Sequence, residues 1–368
     1  MSISAPHETI LLLHTLATAL VNADRRTGLD SFHLPYDDEA QRALDRTVLA
    51  CLLRGAEPPA SLAELFSWCR ERPLSDWPLD SLPDTIGPDD HLLDPGVGRP
   101  TELCFEWKTR SQDSAAEHRD REVIRKALRL CLDAGEPEAY TAFRGLLIEQ
   151  PVLTSTEAFA VMSDLMLEPV RSILAVIYQE VSDGLVRDHV YATCARCLTL
   201  LTPVQDGQWW CERDRCRRVG PPPVGREIDS GEDLRQLERP LRQFVTGPGQ
   251  AEVSLERRLR LPRLVLEMWP NFDSYDLRLT FPDGQVWAID VKDWAHPYFL
   301  GRAAKPVPPT PPYDEAFWVV PAQRVQERPG YLEIFARNRP ASAADLILIT
   351  DDALIRKAKA RLKENRRA

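Results

Sequence analysis

Apolar residues recur every three or four positions through much of residues 1–185, and the spacing shortens to two beyond about residue 247. ILLLHTLATAL puts Ile10, Leu13, Leu16 and Leu20 on one helical face, and AQRALDRTVLACLL does the same with Leu44, Val48, Leu49 and Leu52. REVIRKALRLCLDAG repeats the period and stops at Gly135, a residue suited to a helix end. Thr154 with Glu157 predicts a capping box, and Pro169 predicts an interruption before VRSILAVIYQEV. The pattern predicts an all-helical region over 1–185, with a less regular insert at 73–112. In that insert HLLDPGVGRPTE follows no strand and lacks Gly-Lys-Ser/Thr, so it predicts a turn and not a phosphate loop.

Residues 217–250, rich in proline, glycine and charge, predict a linker with one short helix around DLRQLERPLRQF. From 247 onward strands alternate with helices. YDLRLTFPDGQVWAIDVKDW is the most informative stretch. Leu277, Leu279 and Phe281 share one parity, as do Trp287, Ile289 and Val291, so these form the core face of a hairpin. Pro282-Asp283-Gly284 suits a three-residue loop closed by a glycine bulge, which pairs Phe281 with Gln285. Counting back in register, Leu279 meets Trp287 and Asp276 meets Asp290, with Lys292 on the same face.

Composition is that of a globular chain: 368 residues, 43% hydrophobic, long enough for two or three domains. No apolar run is long enough to span a membrane, and the first residues lack a basic leader, which gives a cytoplasmic expectation. The net charge of −10 is uneven: residues 241–368 hold 20 Lys and Arg against 16 Asp and Glu, leaving 26 against 40 for the rest. A small local positive excess permits a polyanion partner without demanding one.

Cys51, Cys69, Cys104 and Cys131 are scattered through helical sequence and fit small buried apolar residues. Cys194, Cys197, Cys211 and Cys216 are different: Cys-x2-Cys, thirteen residues, then Cys-x4-Cys. Two close pairs around a strand-turn-strand segment suit a structural, tetrahedral Zn²⁺ site. His189 is an alternative to Cys216, because the second spacing is wider than in most ribbons. Trp209, Trp210, Arg213, Arg215, Arg217 and Arg218 offer either a nucleic-acid contact or solvated charge beside packed aromatics.

Opposed carboxylates at Asp276 and Asp290 repel at cross-strand distance, so a cation should lie between them. A hard divalent ion fits, Mg²⁺ or Mn²⁺, and Lys292 can orient or deprotonate a water and offset phosphate charge. An isolated Asp-x-Lys is more often ordinary surface charge; the second acid and the flanking elements reverse that balance. Those elements are a helix, VLEMW, the hairpin, AFWVVPA, YLEIFARN, ADLILIT and a basic last helix, KAKARLKENRR.

In this arrangement residues 247–368 resemble the PD-(D/E)xK restriction-endonuclease-like nucleases. Asp276 matches the first acid of their pattern, Asp290 the second and Lys292 the lysine. The acid on the first helix would be Glu252, with Glu256 on the next turn as the alternative. Asp273 competes with Asp276 for the first position but has the wrong parity. PGQAE, MWPNFDSYDLRLTF and WAIDVKDW further resemble the endonuclease associated with prokaryotic PIWI-type proteins in predicted defence islands. The resemblance implies invader DNA or RNA as target, and a PIWI-type protein and a helicase as partners.

The expected fold is α+β and multidomain. It comprises a helical domain of unassigned role (1–185), a zinc ribbon (186–220), a linker with a short helix (221–246) and an α/β/α nuclease core with a mixed sheet (247–368). The expected function is a Mg²⁺-dependent endonuclease, with Asp276, Asp290 and the Val291 carbonyl as ligands, Lys292 on the water and Glu252 in support. The competing expectation is a catalytically inactive adaptor of nuclease fold that binds nucleic acid or a partner protein. Gln323 and Arg324 are candidates for phosphate contact or for plain surface charge, and His296 reads as structural.

Overall fold

The structure is a computed structural model that describes residues 5–25, 36–79, 82, 86–108, 117–204, 207–218 and 220–364. It divides into two compact units, one of residues 1–118 with 295–299 and one of 119–294 with 300–368. Parts of the 73–112 insert and the end of the basic tail, 365–368, lie outside the described residues.

The first unit is helical: Ala5–Arg25, Asp38–Leu52, Leu62–Glu71 and Glu102–Lys108. Leu13, Leu16 and Leu20 are buried, as their spacing predicts. The second helix departs from expectation. Its buried residues are Ala40, Ala43, Thr47 and Cys51, while Leu49 and Leu52 are exposed. The small residues mark the inward face, and Leu44 and Val48 are half-buried at its edge. Asp94 caps the turn of HLLDPGVGRPTE by accepting from the Gly96 and Val97 amides at 3.0 and 3.1 Å.

In the second unit, helix Glu117–Ala134 ends at Gly135, whose φ of +71° is natural for glycine. Helix Pro137–Glu149 follows, then β1 (Val152–Thr154). The capping box of Thr154 and Glu157 opens helix Ser155–Ser163, and Pro169 lies in a 3₁₀ turn ahead of helix Arg171–Ile177. After β2 (Tyr178–Glu180) come β3 (Val190–Cys194), β4 (Thr202–Pro203), β5 (Trp209–Trp210), β6 (Val224–Asp229) and β7 (Leu234–Leu237). The helical region is therefore not helical throughout. β7 lies between β1 and β2 in a three-stranded sheet, and β6 pairs with β3. The stretch expected as linker is ordered as strand because Leu234 and Leu237 reach buried positions while Arg235 and Gln236 between them stay at the surface.

The last third is built on β8 (Val265–Met268), β9 (Leu277–Thr280), β10 (Val286–Val291), β11 (Glu315–Val320) and β12 (Ile347–Thr350), in the order β12-β11-β10-β9-β8. The pairings of β8 with β9 and β9 with β10 are antiparallel; those of β10 with β11 and β11 with β12 are parallel, so the sheet is mixed. Leu277, Leu279, Trp287, Ile289, Phe317 and Val319 fill one face against helices Gly247–Leu259 and Asp351–Glu364. Ala288, Trp318 and Val320 fill the other, against Tyr331 and Phe335 of helix Tyr331–Asn338. Both faces are thus covered, and polar side chains cluster where the strands end. Among the described residues no helix is long and apolar enough to cross a membrane.

Candidate nuclease centre and thiol cluster

The turn at Pro282-Asp283-Gly284 sets the register of the hairpin. The Phe281 amide donates to the Gln285 carbonyl at 2.9 Å and the Gly284 amide to the Phe281 carbonyl at 2.9 Å, with Gly284 at φ +86°. The ladder then pairs Thr280 with Val286, Leu279 with Trp287, Arg278 with Ala288 and Leu277 with Ile289. One step further along the same register are Asp276 and Asp290. Asp276 is buried, and its Oδ2 accepts from the Val291 amide at 2.5 Å. Lys292 Nζ donates to Asp290 Oδ1 at 2.5 Å and sits 5.0 Å from the centroid of the Trp318 ring.

Glu252, buried on helix Gly247–Leu259, is near enough for its charge to act on Asp276. Its Oε2 accepts from Trp269 Nε1 at 2.6 Å, and Arg144 Nη2 reaches Oε1 and Oε2 at 3.4 and 3.3 Å. Arg144 Nε forms an ion pair with Asp273 Oδ2 at 3.3 Å, and that oxygen accepts a hydrogen bond from Tyr140 Oη at 3.2 Å. Glu256 instead pairs with Arg260 on the surface, at 2.8 Å. Burial, reinforced by the Glu252 and Asp290 carboxylates, holds the Asp276 pKa well above the usual carboxylate range. Burial also raises Glu252, against the pull of Arg144. For Lys292 burial opposes the charge, but Asp290 and then Asp276 outweigh it and keep the ammonium ionised above its ordinary value.

Three residues past Asp290 the balance of charge is reversed. Asp293 is fully buried; its Oδ1 accepts from Arg324 Nε at 2.7 Å and its Oδ2 from Arg215 Nη1 at 2.9 Å, with Arg213 at 3.7 Å. Burial opposes this carboxylate, but Arg324, Arg215 and Arg213 override it and depress its pKa. Arg324 is thereby committed to Asp293, while Gln323 is exposed and bonded to Glu327 at 2.7 Å.

Arg213 and Arg215 come from the Cys-x4-Cys turn. Cys194, Cys197, Cys211 and Cys216 are all buried with their sulfurs within 4.8 Å of one another. Thiolates around a tetrahedral Zn²⁺ lie roughly 3.8 Å apart, from bonds of about 2.3 Å. The four cysteines therefore fit such an ion, and the cluster could hold a structural metal. His189 is exposed and outside this group. The four residues between Cys211 and Cys216 all have partners: Glu212 with Arg242, Arg213 and Arg215 with Asp293, and Asp214 with Arg217. The wide spacing is room for these contacts. Gly247 belongs to the same packing, since a Cβ there would lie 2.5 Å from the Arg213 guanidinium carbon.

Residues 249–366 match the family model described as REase associating with pPIWI_RE, and residues 12–154 match that of the pPIWI_RE three-gene island domain Y. Together the two matched segments support a restriction-endonuclease-like protein of a pPIWI_RE island. No curated protein and no solved structure matches it.

The REase segment supplies Glu252, Asp273, Asp276, Asp290 and Lys292, and the domain Y segment supplies Tyr140 and Arg144. Sequence reasoning named the REase residues and missed Arg144, Tyr140, Trp269 and Asp293. AYTAFRGLLIE reads as an ordinary amphipathic helix, and only the burial of an arginine within it would have drawn attention. Next to the centre, Trp269, Asn271, Phe272 and Asp273 take φ of +48°, +48°, +58° and +67°. Left-handed backbone in bulky residues costs about 1–2 kcal/mol each, and here it brings Asp273 onto Arg144. A cleft of about 290 Å³ lies beside Val291, lined by Arg215, Gln250, Ser254, Arg258, Gln323 and Asp351 among others but by none of Asp276, Asp290 and Lys292. His296 lies in the other unit, buried, with Nδ1 on Glu106 and Nε2 3.8 Å from Asp90.

Proposed function

We propose that the chain is a divalent-metal-dependent endonuclease whose centre is Asp276, Asp290 and Lys292. The observation that carries this reading is the excess of buried carboxylate where β9 and β10 end, inside a segment that matches an REase family. Like charges this close are costly to a folded chain, and a bound cation offsets that cost. Asp276, Asp290 and the Val291 carbonyl would hold Mg²⁺ or Mn²⁺ in a PD-(D/E)xK arrangement. Such an ion, when bound, supplies Lewis-acid charge to a phosphodiester and lowers the pKa of a coordinated water.

The chain's own groups do the rest. Asp290 orients the Lys292 ammonium through the 2.5 Å contact. As an ammonium, Lys292 donates a hydrogen bond to the attacking water and offsets phosphate charge. The Val291 amide holds the Asp276 carboxylate in one orientation, so it does not have to be ordered at the moment of reaction. The substrate is a polynucleotide, DNA or RNA. The thiol cluster takes Zn²⁺ and fixes Arg213 and Arg215. Targeting comes from a PIWI-type partner, as the family descriptions suggest, in defence against invading nucleic acid.

The test is incubation of the purified chain, alone and with its PIWI-type partner, with labelled duplex and single-stranded DNA and RNA in Mg²⁺ or Mn²⁺. Cleavage by wild type, lost in Asp290→Ala with binding retained, is the expected result. No cleavage of any substrate under any of these conditions overturns the reading. Function that survives in both Asp290→Ala and Lys292→Ala makes the chain an adaptor.

A further inference from the structure

Six ionisable groups make up the nuclease centre: Glu252, Asp273, Asp276 and Asp290, with Arg144 and Lys292. With every group ionised, four negative charges face two positive ones. One divalent ion cancels the excess of two. A second ion would need further carboxylate, and the acid on the first helix, Glu252, is engaged: both its oxygens lie within 3.4 Å of Arg144 Nη2, and Oε2 also takes the Trp269 indole N–H. The guanidinium is buried and lies 5.6 Å from the centroid of the Trp269 ring, so packing fixes it as well as charge.

We propose that Arg144 is a built-in cation of this centre, a positioning residue that holds Glu252 and Asp273 where a second metal ion would otherwise be drawn, so that the site takes one divalent ion. The inference rests on the nuclease reading of Asp276 and Asp290. It also gives the helix Pro137–Glu149, outside the REase match, a part in completing the centre. A merely structural arginine would not govern how many ions bind.

The experiment counts Mn²⁺ bound to the full-length, zinc-loaded protein, from the free-ion signal in electron paramagnetic resonance. Wild type is expected to take one Mn²⁺, and Arg144→Lys and Glu252→Gln to keep that number. Arg144→Gln is expected to take a second, because Glu252 is then released, and one ion on the folded variant overturns the role of Arg144; should it fail to fold, Glu252→Gln still can. Two ions on wild type, or a loss of affinity beyond about tenfold in Glu252→Gln, overturns the role of Arg144 and leaves the nuclease centre standing. No ion on wild type overturns the nuclease reading itself.

Discussion

Asp290 and Asp293 are three residues apart, and their surroundings are opposite. Around Asp276 and Asp290 carboxylates outnumber cations, and burial with like charge raises Asp276. Around Asp293 three arginines converge on a single carboxylate and lower its pKa. A charge that is fully paired inside the fold serves stability, whereas an excess of one sign that the chain leaves uncompensated is costly unless something binds there. On the proposed reading, the contrast separates a structural acid, Asp293, from a proposed catalytic one, Asp290, within the segment IDVKD.

The largest expected effect is on catalysis. Lys292→Ala should lower cleavage by about 10²–10⁴-fold with an unchanged far-ultraviolet circular dichroism spectrum, measured on the best substrate found for wild type. Asp293→Asn should act on stability instead. Removing one partner from a buried ionic group leaves charge unpaired, and the cost is about 3–5 kcal/mol, read from urea denaturation. Trp269→Phe takes one hydrogen bond from buried Glu252 and should cost about 1.5–3 kcal/mol in the same assay.

The smallest effect has the opposite sign. Asp276→Asn should stabilise the metal-free protein, since it removes a group that must either bear a repelled charge or take up a proton, and keeps an oxygen for the Val291 amide. The two acids also predict opposite pH slopes. Folded Asp276 keeps a proton that the unfolded chain releases above about pH 3.9, so between that value and its raised folded pKa the metal-free protein loses stability as pH rises. Asp293 has a depressed folded pKa, so its contribution is complete above about pH 3.9 and is lost as pH falls toward the folded value. Melting temperatures of wild type and the two Asn variants from pH 3 upward separate the slopes; equal slopes would break the comparison.

Local signals made half of this legible. The Phe281–Gln285 closure follows from Pro-Asp-Gly, and once it is fixed the period of two carries Asp276 to Asp290. Cysteine spacing located the thiol cluster because both pairs lie on tight turns within 23 residues. The order of helices and strands after residue 247 was readable for the same reason: each element has its own period.

Partners distant in sequence were not readable. Arg144 meets Glu252 across 108 residues and Arg215 meets Asp293 across 78, and such polar pairs leave no periodic trace. β1 and β7 are short strands whose pairing joins Val152 to Gln236, too short and too far apart to show as alternation. The helix Asp38–Leu52 misled for another reason: Leu49 and Leu52 are more hydrophobic than the small residues on the face it buries, so the hydrophobic pattern points to the wrong side.

The most direct test of the account compares Asp290→Asn with wild type in a single preparation, scoring Mg²⁺-dependent cleavage and the metal-free melting temperature together. Cleavage should be lost while the melting temperature holds or rises. Wild-type cleavage by Asp290→Asn, or a melting temperature that falls as far as that of Asp293→Asn, would contradict it.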